Sequence, residues 1–420
     1  MHRLLAAFLA ATACASGAQA QEPPPADAGP SFTLDRALES AGAASPLLEA
    51  ASAETRAAEA GRRVAGLRPN PSVSVEAENV AGSGPYRGMD SLEATTSLTL
   101  PIELGGKRSA RIAVAEARTD RAAIQAAIAQ ADLRLSVIRA YAEAVAADRR
   151  LITARDQVRI AGEALRAAQV RVQAGRASPI EVQRADVARV NADAALVREE
   201  RGVEVARYSL SRIVGQPVNG ELDAGWFAGV VAGYGPLRPI GSNGTLALAA
   251  AELDLAIATA EVGLARSQRV PDLTLGAGAR RFEQTGDTAA IFSLSIPLPL
   301  FNNGRAALSQ VSAERQRAEA QRRVTALDVD QAIARAQADA ANAATSAATA
   351  SGPALAAAEE AARIARIGYR EGKFGQLDLL DAERTLAETR AAAIDALLSY
   401  HIAQAQLERL TARAPTIQGE

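Results

Sequence analysis

Two hydrophobic periods alternate along this chain. Over long Ala-rich stretches apolar residues return every seven positions. Leu151, Val158, Leu165 and Val172 form one row, Val182, Leu196, Val203 and Leu210 a second, and Leu379, Leu386, Tyr400 and Leu407 a third. A seven-residue repeat predicts helices packed as coiled coils. Elsewhere the period falls to two. Val73 and Val75 alternate with Ser72, Ser74 and Glu76, while Leu92, Ala94, Leu98, Leu100 and Ile102 alternate with Glu93, Thr95, Ser97 and Thr99. Further on, Phe292, Leu294 and Ile296 alternate with Ser293 and Ser295. Each run predicts a strand of about ten residues, the length a tilted strand needs to cross a membrane. One face is apolar and the other polar, as a barrel between lipid and water requires. The turns joining paired strands are Gly82-Ser83-Gly84-Pro85 and Gln284-Thr285-Gly286-Asp287.

The pattern occurs twice, at a spacing near 200 residues. Pro71-Ser72-Val73-Ser74-Val75 answers to Pro271-Asp272-Leu273-Thr274-Leu275, and Ser97-Leu98-Thr99-Leu100-Pro101 to Ser293-Leu294-Ser295-Ile296-Pro297. Residues 175–181 answer to 372–378. Three anchors in one order point to a tandem duplication. Each copy is expected to run helix, two strands, long helix, turn, helix. The copies fall at 32–217 and 245–412, joined by a Gly/Pro-rich linker, 218–244, that holds Trp226; residues 413–420 form a tail. Residues 105–174 would form a helix of roughly 105 Å, and 303–372 one nearly as long. The shorter stretches 33–68 and 180–215, some 54 Å each, would match one long helix when placed end to end. Four strands cannot close a barrel, for which about eight is the smallest useful number. Strands from several copies must combine, so oligomerisation follows from closure.

Composition changes the picture in three ways. Aromatic residues are 3% of the chain, which fits closely packed small-residue helices rather than an ordinary globular core. The net charge is −2 with Arg and Glu interspersed, and no basic face marks a nucleic-acid partner. Residues 1–20 read as a signal peptide: Arg3, an apolar run over 4–13, and Ala18-Gln19-Ala20 as the cleavage site, followed by a Pro-rich lead over 21–31. A competing reading makes Cys14 a lipoprotein anchor, although no Leu stands three residues before it. After cleavage no run is long enough for a transmembrane helix, so a membrane crossing must use strands.

These residues resemble the TolC family of outer-membrane efflux proteins over about 32–410. The resemblance rests on the duplication, the strand-to-helix junctions and two turns, Gly175-Arg176-Ala177-Ser178-Pro179-Ile180-Glu181 and Tyr369-Arg370-Glu371-Gly372-Lys373-Phe374-Gly375-Gln376-Leu377-Asp378. Pro101-Ile102-Glu103-Leu104-Gly105-Gly106-Lys107-Arg108 and Pro297-Leu298-Pro299-Leu300-Phe301-Asn302-Asn303-Gly304-Arg305 resemble its CzcC-like, heavy-metal branch. The resemblance implies a mostly α homotrimer, with a twelve-stranded β-barrel in outer-membrane lipid above a long helical tunnel through the periplasm. It implies as partners a periplasmic adaptor protein and an inner-membrane RND pump, in a Gram-negative cell.

The resemblance also supplies candidate sites. Asp378 and Asp381 match the family's acidic constriction and lie on consecutive turns of one helix face. Three copies would make two carboxylate rings that select for cations. Asp378 equally suits a helix N-terminus, where the dipole favours a carboxylate. Tyr369 matches a tyrosine that helps hold the closed state, whereas Phe374 stands where other members carry an arginine. In the first copy Glu181 matches Asp378 and Arg184 replaces the second acid, so Arg184 would meet an acid of a neighbouring subunit. Gly175, Arg176, Ser178, Pro179, Gly372, Lys373, Phe374 and Gly375 form the tips that would touch the adaptor, and the glycines also suit turns needing positive dihedrals.

No cofactor or resident metal site is expected. His401 is the one histidine past the leader, and the cysteine and histidine ligands of a tight transition-metal site are missing there. If the cargo is a metal cation, pump and adaptor must choose it. Glu76, Glu78 and Glu93 would favour cations in the barrel if they face its lumen, with Arg280 opposing them, but strand parity leaves this open. No catalytic constellation is present, so an enzyme is not expected. Two alternatives stand: the same channel serving drugs or type I secretion, and a soluble periplasmic coiled-coil scaffold, which has no use for the amphipathic strand runs.

Overall fold

A computed structural model describes residues 31–231 and 240–415 of the chain. The leader, Cys14, the lead over 21–30, part of the linker and the last five residues lie outside them. The first repeat contains α1 (Leu34–Ala44), α2 (Pro46–Ala65), β1 (Ser72–Glu78), β2 (Glu93–Ile102), α3 (Lys107–Gln173) and α4 (Pro179–Val214). A short α5 (Ala224–Ala228) lies in the linker. The second repeat contains α6 (Leu246–Ser267), β3 (Leu273–Phe282), β4 (Thr288–Ser295), α7 (Arg305–Thr349), α8 (Leu355–Arg370) and α9 (Gln376–Thr411). No described helix is long and apolar enough to cross a membrane.

Two helices expected to be continuous are broken. Residues 33–68 form two helices because Ser45 caps a new start, its hydroxyl accepting from Leu48 N at 3.4 Å, with Pro46 at the first helical position. Proline there lacks the N–H that would continue the first helix. Residues 303–372 are interrupted at 350–354 by a π-type turn, where Gly352 has φ −103° and ψ −106° and Pro353 sits inside. β1 and β4, at 7 and 8 residues, are shorter than the expected ten, and β2 starts at Glu93 rather than Leu92.

The strands form one antiparallel sheet in the order β1-β2-β3-β4. Its central pairing, β2 with β3, joins the two repeats, and β1 and β4 are left as open edges. The register settles the parity. Val73 opposes Leu98, Leu100 opposes Leu275, and Leu275 opposes Leu294, so the apolar residues share one face. Ser72 opposes Thr99 and Ser74 opposes Ser97, with hydroxyls 2.7 and 2.8 Å apart on the other face.

Below the sheet α3 is the spine, with α2 and α6 packed on its upper part and α4 and α9 lower down. The short helices stack end to end. Ala37 and Ala41 of α1 meet Leu210 and Val214 of α4, and Leu246 N at the start of α6 bonds Ala412 O just past α9, at 3.1 Å. A buried run over α3 (Ala140, Tyr141, Ala142, Ala144, Val145, Ala146) forms the main core with Phe227 and Tyr400. Alanines let the helices approach closely while the few aromatics anchor the linker. The Tyr141 hydroxyl donates to Phe32 O at 2.7 Å and accepts from Asp223 N at 2.9 Å. His401, its ring 4.1 Å from that of Trp226, lies 2.9 Å through Nε2 from Phe227 O.

Candidate functional site

The two helical turns lie together at the end of the molecule away from the sheet. Each begins with a glycine in the left-handed region, Gly175 at φ 67° and Gly372 at φ 73°, which a side chain would strain. At the first, Arg176 N bonds Arg171 O at 2.8 Å, and Ser178 and Pro179 open α4. At the second, Lys373 N bonds Gly368 O at 2.8 Å, and the Phe374 ring folds over Gly368, where a Cβ would collide with it. Gly375 caps the N-terminus of α9, and its N–H donates to Asp378 Oδ2 at 2.9 Å. Asp378 thus sits in the first turn, where the helix dipole favours its charge. Asp381, one turn on, is exposed and paired with Arg384 at 2.7 Å.

A polar joint ties the turns to each other. Gln376, almost fully buried, donates through Nε2 to the Glu181 carbonyl at 2.6 Å. Arg171 of α3 donates to Tyr369 O at 3.3 Å and lies 4.7 Å over the Tyr369 ring. Tyr369 packs with Ala365 and Leu379 against Ala164 and Ala167 of α3. Burial pushes its hydroxyl pKa up; Arg171 pulls it down and the nearby Glu181 carboxylate adds to the rise. Of the buried side-chain atoms without a hydrogen-bond partner among the described residues, Arg171 Nε, Glu181 Oε2, Tyr369 OH and Gln376 Oε1 all belong to this joint. Such groups are costly when dry, so the joint is polar enough to take up water.

Arg184 is exposed, and among the described residues it forms no ion pair. It lines a valley of about 680 Å³ over α3, between α4 and α9, together with Glu383 and Arg384. Glu383 is itself held by Arg366, which clamps α8 to α9. Of the residues expected from the sequence, the structure brings Tyr369 and Glu181 into the joint and leaves Asp378 and Asp381 at the start of α9, while Arg171, Gln376 and the Arg366–Glu383 pair were not expected. Gln376 and Glu181 are 195 positions apart, and no spacing announces such a contact.

At the other end Glu76, Glu78, Glu93 and Arg280 share the polar face of the sheet, as the register of Glu76 with Thr95 and Thr95 with Arg280 requires. Arg280 lies 3.1 Å from Glu78, 2.8 Å from Glu93 and 2.8 Å from the Thr95 hydroxyl. Glu76 forms no ion pair among the described residues. The face carries net negative charge. No three His, Cys, Asp or Glu side chains among the described residues converge as a metal-holding group.

A sheet apolar on one face, helical hairpins below it and a twofold repeat are the features of one protein family, whose model, outer membrane efflux protein, matches twice, over 37–216 and 243–413. The chain belongs to this family. Among its relatives is the cobalt-zinc-cadmium resistance protein CzcC of Cupriavidus metallidurans, 30% identical over 403 residues, 93% of this chain and 92% of that one. The nickel-cobalt-cadmium resistance protein NccC of Alcaligenes xylosoxydans xylosoxydans is 29% identical over 71% of this chain and 67% of its own. The same fold is seen in the outer membrane protein VceC of Vibrio cholerae, with a TM-score of 0.73 at 22% identity over 91% of this chain and 96% of that one. The CusC channel superposes with a TM-score of 0.74 at 19% identity, covering 91% and 93%. As a member of this family the chain is an outer-membrane transport channel and not an enzyme.

Proposed function

We propose that three copies of this chain form the exit duct of a tripartite efflux assembly that expels heavy-metal cations such as cobalt, zinc and cadmium, or copper and silver. The observation that carries the duct is the open sheet, apolar on one face, polar on the other, with edges β1 and β4 unpaired. Exposed edges are unstable in lipid, and pairing β4 of one copy with β1 of the next removes them. Three copies would supply twelve strands. An exposed apolar row on α4, with Val187, Val190, Val197, Val205 and Tyr208, supports the same neighbour contact lower down. The metal cargo is supported by the resistance proteins CzcC and NccC. Relatives such as the pyoverdine export outer membrane protein OpmQ of Pseudomonas putida keep the drug or secretion alternative in view.

In this reading Asp378 and Asp381 ring the closed periplasmic end. Tyr369 and Glu181 belong to the polar joint, which acts as a latch, and Arg184 reaches an acid of the next subunit. The turns holding Gly175, Arg176, Ser178 and Pro179, and Gly372, Lys373, Phe374 and Gly375, dock the periplasmic adaptor that carries the inner-membrane RND pump. The protein reaches the outer membrane by its N-terminal signal. Deleting the gene and measuring growth across zinc, cadmium, cobalt, copper and silver salts and a drug panel tests the cargo, with a complemented control. Selective loss of metal resistance is expected. Drug sensitivity with intact metal resistance would keep the duct and overturn the cargo.

A further inference from the structure

The two strand-to-helix junctions treat their apolar residues differently. In the first repeat the chain leaves β2 and is clamped at once. Arg111 holds Glu103, Lys107 pairs with Asp272 at 2.7 Å, and Leu104 N bonds Asp272 Oδ1 at 3.2 Å. The Arg111 pair keeps the Glu103 carboxyl below its ordinary range, chiefly through that hydrogen bond. In the second repeat the chain leaves β4 and stays out. Ile296, Leu298, Leu300 and Phe301 are 52%, 75%, 77% and 103% exposed. The chain turns in only at Asn302 and Asn303, whose side chains accept from Gly304 N and Arg305 N at 3.2 and 3.1 Å.

This patch continues the lipid face of the sheet. Phe292 and Leu294 of β4 are 84% and 63% exposed on the apolar side, and Ile296 follows at the same two-residue spacing. From Thr288 to Phe301 no residue is charged. Pro297 and Pro299 remove two backbone N–H groups that an unpaired segment would otherwise have to satisfy in apolar surroundings. The eight residues of β4 also fall short of the nine to eleven a tilted strand needs, and Ile296 and Leu298 make up the difference.

We propose that residues 296–301 are a membrane anchor of the second repeat alone, with Leu298, Leu300 and Phe301 lying in the inner leaflet of the outer membrane at the base of the barrel. The inference rests on the barrel reading given above. Single cysteines, Phe301→Cys, Leu298→Cys, Leu294→Cys and Ser293→Cys, carry an environment-sensitive fluorophore in the exported protein reconstituted into phospholipid vesicles. Nitroxide-labelled lipid and aqueous iodide serve as opposed quenchers. Positions 301 and 298 are expected to follow 294, with several-fold stronger quenching by lipid than by iodide, while 293 shows the reverse. Quenching of 301 by iodide alone, or shielding from both quenchers as a contact with a neighbouring copy would give, overturns the anchor if 294 still reports lipid. Loss of lipid quenching at 294 as well overturns the barrel reading on which it stands.

Discussion

The two hairpins that hang below the sheet share a plan and differ in one joint. In the first repeat α3 runs unbroken for 67 residues into the turn at Gly175. In the second the equivalent helix is interrupted at 350–354. Pro353 can donate no N–H, and its ring crowds the carbonyl one turn back, so the helix widens locally into a π turn. The break lies beside a cleft of about 300 Å³ lined by Ser351, Leu355, Phe227, Arg390 and Ile394. Beyond it α8 rests on α9, through Ala358 and Ala362 against Leu386 and through the Arg366–Glu383 pair. Arg390 of α9 reaches Glu359 at 3.1 Å and Asp156 of α3 at 3.7 Å. Under the proposed function, the continuous first hairpin would act as a post, and the interrupted second one as a lever with its pivot at Gly352–Pro353 and a polar latch at its tip.

Removing what stiffens the lever has the largest expected effect. Leu386→Ala, at a fully buried contact, should cost about 2–5 kcal/mol, with hydrogen exchange faster across 355–400 than across 140–200. Equal loss of protection in both hairpins would break the comparison. Gln376→Leu removes the hydrogen bond to the Glu181 carbonyl and should cost about 0.5–1.5 kcal/mol, raising the resting conductance in planar bilayers. An unchanged resting conductance would remove Gln376 from the latch. Straightening the pivot with Gly352→Ala and Pro353→Ala should stabilise the helix by roughly 1 kcal/mol or more and slow opening when adaptor is added. Opening at the wild-type rate would place the pivot elsewhere.

A smaller effect concerns the aromatic cluster of Tyr141, Trp226, Phe227, Tyr400 and His401, where α3 and α9 meet the linker. Burial holds the His401 pKa below its ordinary value, opposed by the hydrogen bond to Phe227 O. A depressed value means the neutral ring contributes stability that is complete above about pH 6.5 and lost as the pH falls through the folded value. The melting temperature should therefore drop on acidification in the wild type and less in His401→Gln; parallel curves would exclude the ring as the cause.

Much of this was legible in the sequence because each signal was local. The Gly-rich turns, the seven-residue rows and the two-residue alternation placed α3, β2 and both tips to within a few residues. The breaks at Pro46 and Pro353 were equally visible as residues, but the Ala-rich helical pattern on both sides outweighed them. What was not legible depends on distant pairing. Which face Glu76, Glu93 and Arg280 share needs the β1-β2-β3 register, and the Arg171–Tyr369 and Gln376–Glu181 contacts need the two repeats folded together.

A cation-conducting duct closed by Asp378 and Asp381 can be examined by planar-bilayer recording of the purified protein. The expected result is a small, cation-selective conductance that millimolar cobalt added on the helical side blocks. In Asp378→Asn with Asp381→Asn, block should weaken and selectivity fall while the Gly375 N–H keeps an acceptor. A channel with unchanged block and selectivity in that variant, or no channel from the wild type, would contradict it.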